Sequence, residues 1–110
     1  VAEAYRQSYF PIDEIDRNGV SIACARAGNV IGGGDWTPHQ LVPAAVAAFR
    51  EGKPVVLRNP KATRPWQYVL DCLGGYLRLA AAATGSPKQY SEEWNFGPAM
   101  DDVITVAEVA

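Results

Sequence analysis

Three short segments of this 110-residue chain combine residue types that can hold an anion or a polar ligand. Segment 26–36 reads Arg-Ala-Gly-Asn-Val-Ile-Gly-Gly-Gly-Asp-Trp, and its consecutive glycines allow backbone N–H groups to converge on a negative charge. Segment 58–66 holds two arginines and a lysine, and the planar guanidinium group of an arginine can grip two phosphate oxygens. Segment 94–97 places an asparagine between two aromatic residues, where its amide can donate to a ligand oxygen.

Each segment also has a plainer interpretation, and the residues alone leave both open. Segment 26–36 can be a connector in which Arg26 forms a structural salt bridge. Segment 58–66 can be a solvated loop, which the residues alone favour, with Trp66 as a core residue. Asn95 can be a partner for a neighbouring backbone group. The glycines do not form a P-loop, because no Lys-Ser or Lys-Thr follows them, and the dinucleotide fingerprint Gly-x-Gly-x-x-Gly is absent. No catalytic set of residues is evident in the sequence, so we assign no catalytic residue.

Composition excludes several classes of protein. The chain is 48% hydrophobic and 20% charged with a net charge of −2, which is typical of a globular domain and not of a nucleic-acid-binding module. No apolar run approaches the roughly 20 residues of a membrane-spanning helix. One histidine, His39, and two cysteines cannot complete a four-ligand zinc site without carboxylates. Cys24 and Cys72 lie in apolar stretches, which favours free thiols in a reducing, cytoplasmic compartment over a disulfide.

Helical and strand patterns alternate along the chain, which predicts an α/β fold. Helices are expected over 1–10, 37–51 and 69–84. The second helix would have Thr37 as its N-cap and would turn Leu41, Ala45 and Phe49 toward the core. The third would turn Leu73, Leu77, Ala80 and Ala81 toward the core. Strands are expected over 20–25, 54–58 and 94–96, with loops over 26–37 and 59–66. Gly74 and Gly75 weaken the third helix, which is explained if a neighbouring element approaches it closely.

Both ends of the sequence predict that this is an internal fragment of a longer protein. Residues 1–10 form a helical pattern without a start signal, and Thr105-Val-Ala-Glu108 is a capping box that opens a helix two residues before the end.

Five motifs in fixed order resemble one known family. They are Arg-x-x-Asn-Val-x-Gly at 26–32, Leu-x-Pro at 41–43, Gly-Lys-Pro at 52–54, Arg-x-Trp-x-x-Val at 64–69 and Asn-x-Gly at 95–97. Together they resemble the extended short-chain dehydrogenases/reductases that act on nucleotide sugars, the NAD-dependent epimerases and dehydratases. The strings Gly-Gly-Gly-Asp-Trp and Arg-Pro-Trp-Gln are similar, more narrowly, to the 4,6-dehydratases of this family that act on CDP-glucose.

The resemblance implies a fold, a reaction and partners. The fold would be the C-terminal part of a Rossmann-type parallel sheet plus the small substrate-binding α/β domain, with 1–28 ending the NAD-binding domain and 29–110 mainly binding substrate. The parent enzyme would convert a CDP-sugar with NAD as cofactor, as a cytoplasmic homo-oligomer (dimer or tetramer) without nucleic-acid or membrane partners. Its catalytic Tyr-x-x-x-Lys pair would precede Val1, so the fragment alone would be inactive.

The resemblance also implies roles for individual residues. Residues that match those holding the diphosphate are Asn29, Arg64 and Asn95. Residues that match those lining the base and ribose are Gln40, Leu41, Val56 and Arg58. Ala27 and Gly28 match the stretch that passes the nicotinamide. Two alternatives remain: another nucleotide-sugar epimerase or dehydratase of the same family, or a non-catalytic module that binds a nucleoside diphosphate.

Overall fold

Helices and short strands alternate along residues 1–99 and 103–110, which the computed structural model describes. The helices are α1 Ala2–Tyr9, α2 Ile15–Asn18, α3 Leu41–Arg50, α4 Val69–Gly85, α5 Pro87–Tyr90 and α6 Val106–Val109, with a 3-10 turn at Ile12–Glu14. The strands are β1 Cys24–Ala27, β2 Asn29–Ile31, β3 Thr63–Arg64, β4 Trp66–Tyr68, β5 Glu93–Phe96 and β6 Ile104–Thr105. Both cysteines are free thiols, as predicted.

The chain divides into two units. Unit 1 contains residues 1–27 and 71–96, and unit 2 contains residues 28–70 and 97–110. The first break falls one residue before the boundary that the sequence predicts at 28. Residues 71–96, which the sequence groups with the second domain, return to unit 1. Which unit binds which ligand stays a prediction.

Unit 1 is built on the parallel pair of strands β1 and β5. The register aligns Cys24 with Glu93 and Ala27 with Phe96, so both strands end at the same edge. Helix α4 packs against this pair at Gly75, where an added Cβ would lie 2.5 Å from the Phe96 ring. The predicted close approach of a neighbouring element is therefore confirmed at Gly75, but at Gly74 it is wrong, since an added Cβ there would meet no atom within 4 Å.

Strand β1 begins later than predicted because a side chain replaces the backbone ladder. Ser91 is only 1% exposed, and its hydroxyl accepts from the N–H of Ile22 and donates to the carbonyl of Ile22, both at 3.1 Å. The backbone ladder takes over at the next step, where the N–H of Cys24 donates to the carbonyl of Glu92 at 3.0 Å. Arg6, also buried, donates to the carbonyl of Ser91. The predicted strand 20–25 is thus wrong for residues 20–23, and β1 extends to Ala27.

Replacing Ser91 with alanine is expected to destabilise the protein by about 1–3 kcal/mol, because the N–H and C=O of Ile22 would each lose a partner in a shielded position. Urea denaturation of the full-length protein measures this. Ser86 is exposed and its side chain makes no hydrogen bond in the described structure, so Ser86→Ala is the matched control and should change stability little. Equal effects of the two substitutions would contradict the assigned role.

Helix α4 buries a different face from the one predicted. Cys72 and Leu79 are buried, whereas Leu73 and Leu77 are 46% and 73% exposed. The inward stripe therefore runs through Cys72, Gly75 and Leu79, at helical spacing. The leucines did not decide which face of α4 is buried, because the packing of Gly75 against β5 fixes the rotation of the helix.

Unit 2 is held by two small strand pairs that the sequence analysis did not predict. Strands β2 and β4 pair in parallel, with Asn29 opposite Trp66, and strands β3 and β6 pair antiparallel, with Arg64 opposite Ile104. The capping box of α6 is confirmed: the N–H of Thr105 donates to Glu108 at 2.7 Å, and the Glu108 N–H donates to the Thr105 hydroxyl at 3.3 Å. The segments 26–37 and 59–66 are thus not simple loops.

Helix α3 starts at Leu41, with Gln40 rather than Thr37 as its N-cap. The predicted start is wrong because His39 has a φ of +68°, a left-handed conformation that a right-handed helix cannot contain. The predicted end near Gly52 is confirmed, since Gly52 has a φ of +64° and the N–H of Lys53 donates to the carbonyl of Ala48 at 2.9 Å.

Two further expectations for this region are wrong. Phe49 of α3 is 61% exposed, and only Ala45 is fully buried on that helix. Residues 54–58 form no strand. No described strand pairs with them, and their apolar side chains Val55, Val56 and Leu57 line a cavity instead.

Candidate functional site

Unit 2 contains a cavity of about 520 Å³ that collects most of the predicted substrate-binding residues. Six of the seven line it: Asn29, Gln40, Leu41, Val56, Arg58 and Arg64. Cavities of roughly 300–1,000 Å³ hold small ligands with predominantly apolar walls and a few polar groups. The apolar side chains Leu41, Val55 and Val56 line this cavity together with amide and guanidinium groups.

Four separate parts of the sequence bring these side chains together. Asn29 begins β2, and its pairing with β4 fixes it beside Trp66. Gln40 caps the N-terminus of α3, and Arg64 lies in β3, whose antiparallel partner is β6. Val56 belongs to the irregular stretch after α3. The cavity is therefore formed by tertiary packing within unit 2, which spacing along the sequence does not reveal.

The cavity is electropositive although the chain as a whole is negative. Arg58 and Arg64 line it, and the described lining residues include no aspartate or glutamate. Arg64 donates through Nη1 to the carbonyl of Thr63 at 2.8 Å, and this is its one side-chain hydrogen bond within residues 1–99 and 103–110. Arg58 makes no hydrogen bond or ion pair within the described part of the chain. This arrangement can bind a doubly charged anion between apolar walls.

Three predicted binding residues do not line this cavity. Ala27 ends β1 in unit 1, and Asn95 lies in β5 opposite Arg26, so both stand at or near the carboxyl edge of the parallel pair. Ligands of open α/β sheets bind at this edge. Gly28 belongs to unit 2, where an added Cβ would approach Cγ of Pro65 to 2.7 Å. This packing requires glycine whether or not a cofactor passes there.

The triple-glycine segment lines a second cavity of unit 2, also of about 520 Å³. Asp35 lies on it and accepts from the N–H of Thr37 at 2.9 Å, and the Thr37 hydroxyl and N–H lower the pKa of this carboxyl. A carboxylate at this place opposes the anion-binding interpretation of the glycines. The guanidinium of Arg50 lies 5.9 Å from the ring centre of Trp36, a cation–π contact.

Sequence reasoning missed several residues of the first cavity. His39, Asn59 and Trp66 line it, and Trp66 lines the second cavity as well. Trp66 is half-buried, so its assignment to the core hid its contact with the ligand space. His39 stood in a misplaced helix, and no sequence signal marks its left-handed backbone. Asn59 follows Arg58 directly, and this adjacency was the available signal.

Neither a cluster of metal ligands nor a membrane-spanning helix occurs within residues 1–99 and 103–110. That part of the chain contains no group of three histidine, cysteine or acidic residues placed to hold a metal ion. It also contains no helix with the length and hydropathy needed to cross a bilayer.

The chain is similar in sequence to one family and to a characterised member of it. A family model described as the NAD dependent epimerase/dehydratase family matches residues 7–97. The CDP-glucose 4,6-dehydratase of Salmonella typhimurium (strain LT2) is 44% identical over 106 residues, which are 96% of this chain and 30% of that protein. The chain thus spans about 30% of the length of the relative it matches.

Solved structures show the same fold at lower identity. A UDP-N-acetylglucosamine 4-epimerase from Methanobrevibacter ruminantium M1, in complex with UDP-N-acetylmuramic acid, aligns over 97% of this chain and 33% of its own, with a TM-score of 0.56 and 18% identity. A double mutant of a dTDP-glucose 4,6-dehydratase from Streptomyces venezuelae, with NAD bound, aligns over 89% of this chain and 28% of its own, with a TM-score of 0.56 and 19% identity. These likenesses confirm the predicted Rossmann-type α/β fold.

Proposed function

The chain belongs to the NAD dependent epimerase/dehydratase family, and from this premise we propose that it forms the nucleotide-sugar-binding part of a CDP-glucose 4,6-dehydratase. The net reaction converts CDP-D-glucose to CDP-4-dehydro-6-deoxy-D-glucose and water. The cofactor predicted from the sequence, NAD, is the cofactor of the family. The CDP-glucose substrate is proposed from the similarity to the Salmonella enzyme.

The observation that carries this proposal is the cavity of unit 2. Six residues whose roles the family resemblance implies line one open cavity, although they are spread between positions 29 and 64. A nucleoside diphosphate needs apolar walls for the base and ribose and cationic donors for the diphosphate. This cavity supplies Leu41 and Val56 for the first requirement and Arg64 for the second.

We assign the following roles within the proposal. Arg64 and Asn29, which both line the cavity of unit 2, hold the diphosphate, because guanidinium and amide N–H groups are suited to phosphate oxygens. Gln40, Leu41, Val56 and Arg58 surround the base and ribose.

Ala27 and Gly28 would lie along the nicotinamide of NAD at the end of β1. The cofactor, when bound, supplies the redox chemistry. The small side chain of Ala27 fits close approach of a flat ring, whereas the glycine at 28 is already required by the packing of Pro65.

The activity test uses the full-length protein with NAD and three substrates: CDP-glucose, UDP-glucose and dTDP-glucose. We expect a product that has lost one water, detected by mass spectrometry, to form fastest from CDP-glucose. Epimerisation at C4 without loss of water, detected by NMR of the sugar, would replace this proposal with the epimerase alternative. Binding of a nucleoside diphosphate with no turnover of any of the three sugars would favour the non-catalytic module.

A further inference from the structure

The two arginines of the cavity have different surroundings. Arg64 lies in β3 and is oriented by its hydrogen bond to the carbonyl of Thr63 at 2.8 Å. Arg58 lies in the stretch that forms no strand, and its guanidinium group has no hydrogen-bond or ion-pair partner within residues 1–99 and 103–110. Two positions before it, Val56 is 87% exposed and offers an apolar surface on the same cavity. Arg58 therefore combines a full set of unused donors with a neighbouring surface on which a planar base can pack.

A guanidinium group has donors and no acceptor, and this distinguishes cytosine from uracil. Cytosine presents two adjacent acceptors, O2 and N3, which match the two parallel N–H groups of an arginine fork. Uracil and thymine carry a hydrogen on N3, so the same fork would meet one acceptor and one donor. Because an arginine N–H and the N3–H of the base would then face each other as two donors, the nucleotide would bind with less favourable free energy. An unfavourable contact of this kind allows a protein to reject the wrong ligand.

We propose that Arg58 is the residue that selects a cytosine nucleotide, by donating two N–H groups to O2 and N3 of the base. This inference rests on the proposed function, since it assumes that the cavity holds a nucleoside diphosphate. It assigns the diphosphate to Arg64 and the base edge to Arg58, so the two cations of the cavity have separate tasks.

The other polar side chains of the cavity do not discriminate between the bases in this way. Asn29, Gln40 and Asn59 carry amide groups, each with a donor and an acceptor, and an amide can rotate to suit either base edge. The neutral imidazole of His39 likewise has one donor and one acceptor. Three donor-only side chains line the cavity: Arg58, Arg64 and Trp66, whose buried Nε1–H has no partner within the described residues. The single N–H of Trp66 cannot pair with O2 and N3 together, and Arg64 is assigned to the diphosphate. Selection against the N3 hydrogen therefore falls to the two parallel N–H groups of Arg58.

The test compares dissociation constants for CDP and UDP in the full-length protein, measured by isothermal titration calorimetry. CDP and UDP share the same ribose and diphosphate, so their ratio isolates the base. A bidentate contact to a base is worth about 1–3 kcal/mol of discrimination, so we expect wild type to prefer CDP by roughly 5- to 150-fold. Arg58→Gln should bring the ratio close to one, because glutamine can pair with either base edge. Arg58→Lys, which keeps the donor-only character without the fork, should retain a smaller preference for CDP.

A second measurement does not depend on any variant folding. In 3-deaza-CDP the N3 acceptor is replaced by C–H, so wild type should bind it about as weakly as it binds UDP. Arg64→Lys is the matched control, and it should weaken CDP and UDP by the same factor.

Two outcomes would overturn the inference while leaving the proposed function standing: an unchanged preference for CDP in Arg58→Gln, or equal binding of CDP and 3-deaza-CDP by wild type. A wild-type protein that binds UDP as well as CDP would instead contradict the proposed function.

Discussion

Replacing Arg64 with alanine is expected to weaken binding of the nucleotide sugar by about 10- to 100-fold and to leave NAD binding nearly unchanged. Hydrogen bonds to charged groups contribute about 1.5–3 kcal/mol each, and 1.4 kcal/mol corresponds to a factor of ten in binding. Arg64 lies in a cavity without an acidic residue among its described lining, and within the described part of the chain its side chain donates only to the carbonyl of Thr63. Calorimetric titration of the full-length variant with CDP-glucose and, separately, with NAD measures both effects.

Two controls make the Arg64 result specific. Arg64→Lys keeps the charge and loses the planar fork, so its loss should be smaller than that of alanine. Arg17 is an exposed arginine of unit 1 whose guanidinium pairs with Glu14, and Arg17→Ala should leave both affinities unchanged. Equal losses for CDP-glucose and NAD in Arg64→Ala would refute the assignment of this arginine to the diphosphate.

Replacing Gly75 with alanine is expected to destabilise the protein, although alanine favours helices. The new Cβ would lie 2.5 Å and 2.6 Å from Cδ1 and Cε1 of Phe96, well inside van der Waals contact. The Phe96 ring is packed edge-on against Tyr76, with centroids 5.2 Å apart, so it cannot move away freely. Overpacking costs about 1–3 kcal/mol and exceeds the gain in helix propensity of about 1 kcal/mol. Thermal denaturation of the full-length protein should show a lower Tm.

The adjacent glycine supplies a control variant in which the expected change in stability has the opposite sign. Gly74 lies on the same helix, and an added Cβ there would meet no atom within 4 Å. Gly74→Ala should therefore stabilise the protein by about 0.5–1 kcal/mol through helix propensity alone. A rise in Tm for both variants would show that α4 and β5 do not pack as closely as the structure has them.

Local signals in the sequence predicted the elements whose ends are set by local chemistry. Helix α4 was predicted to one residue at its C-terminal end, because Gly85 and Pro87 stop a helix, and the capping box of Thr105 was predicted from its spacing. Strand β5 was predicted because its short strand-forming run ends at Gly97, so the signal lies within a few residues.

Tertiary interactions decided the features that the sequence did not reveal. The side chain of Ser91 occupies the position of a ladder partner for Ile22, which shortens β1, and no local pattern signals this. The left-handed backbone of His39 delays the start of α3. The buried face of α4 follows from Gly75 against Phe96, so counting leucines chose the wrong side.

The sequence predicted most residues of the candidate site, but it did not predict the cavity that they line. Motif resemblance selected Asn29, Arg58 and Arg64 along with others, whereas bare residue chemistry favoured a solvated loop for 58–66. The cavity depends on the pairing of β2 with β4 and of β3 with β6, and strands of two or three residues leave almost no periodic signal. For the same reason Trp66 was assigned to the core, although it lines both cavities of unit 2.

A crystal structure of the full-length protein with CDP-glucose tests the central claim most directly. The account predicts the diphosphate within hydrogen-bond distance of Arg64 and Asn29, with the pyrimidine ring beside Val56. A nucleotide bound elsewhere, with Arg64 still donating only to the carbonyl of Thr63, would contradict it.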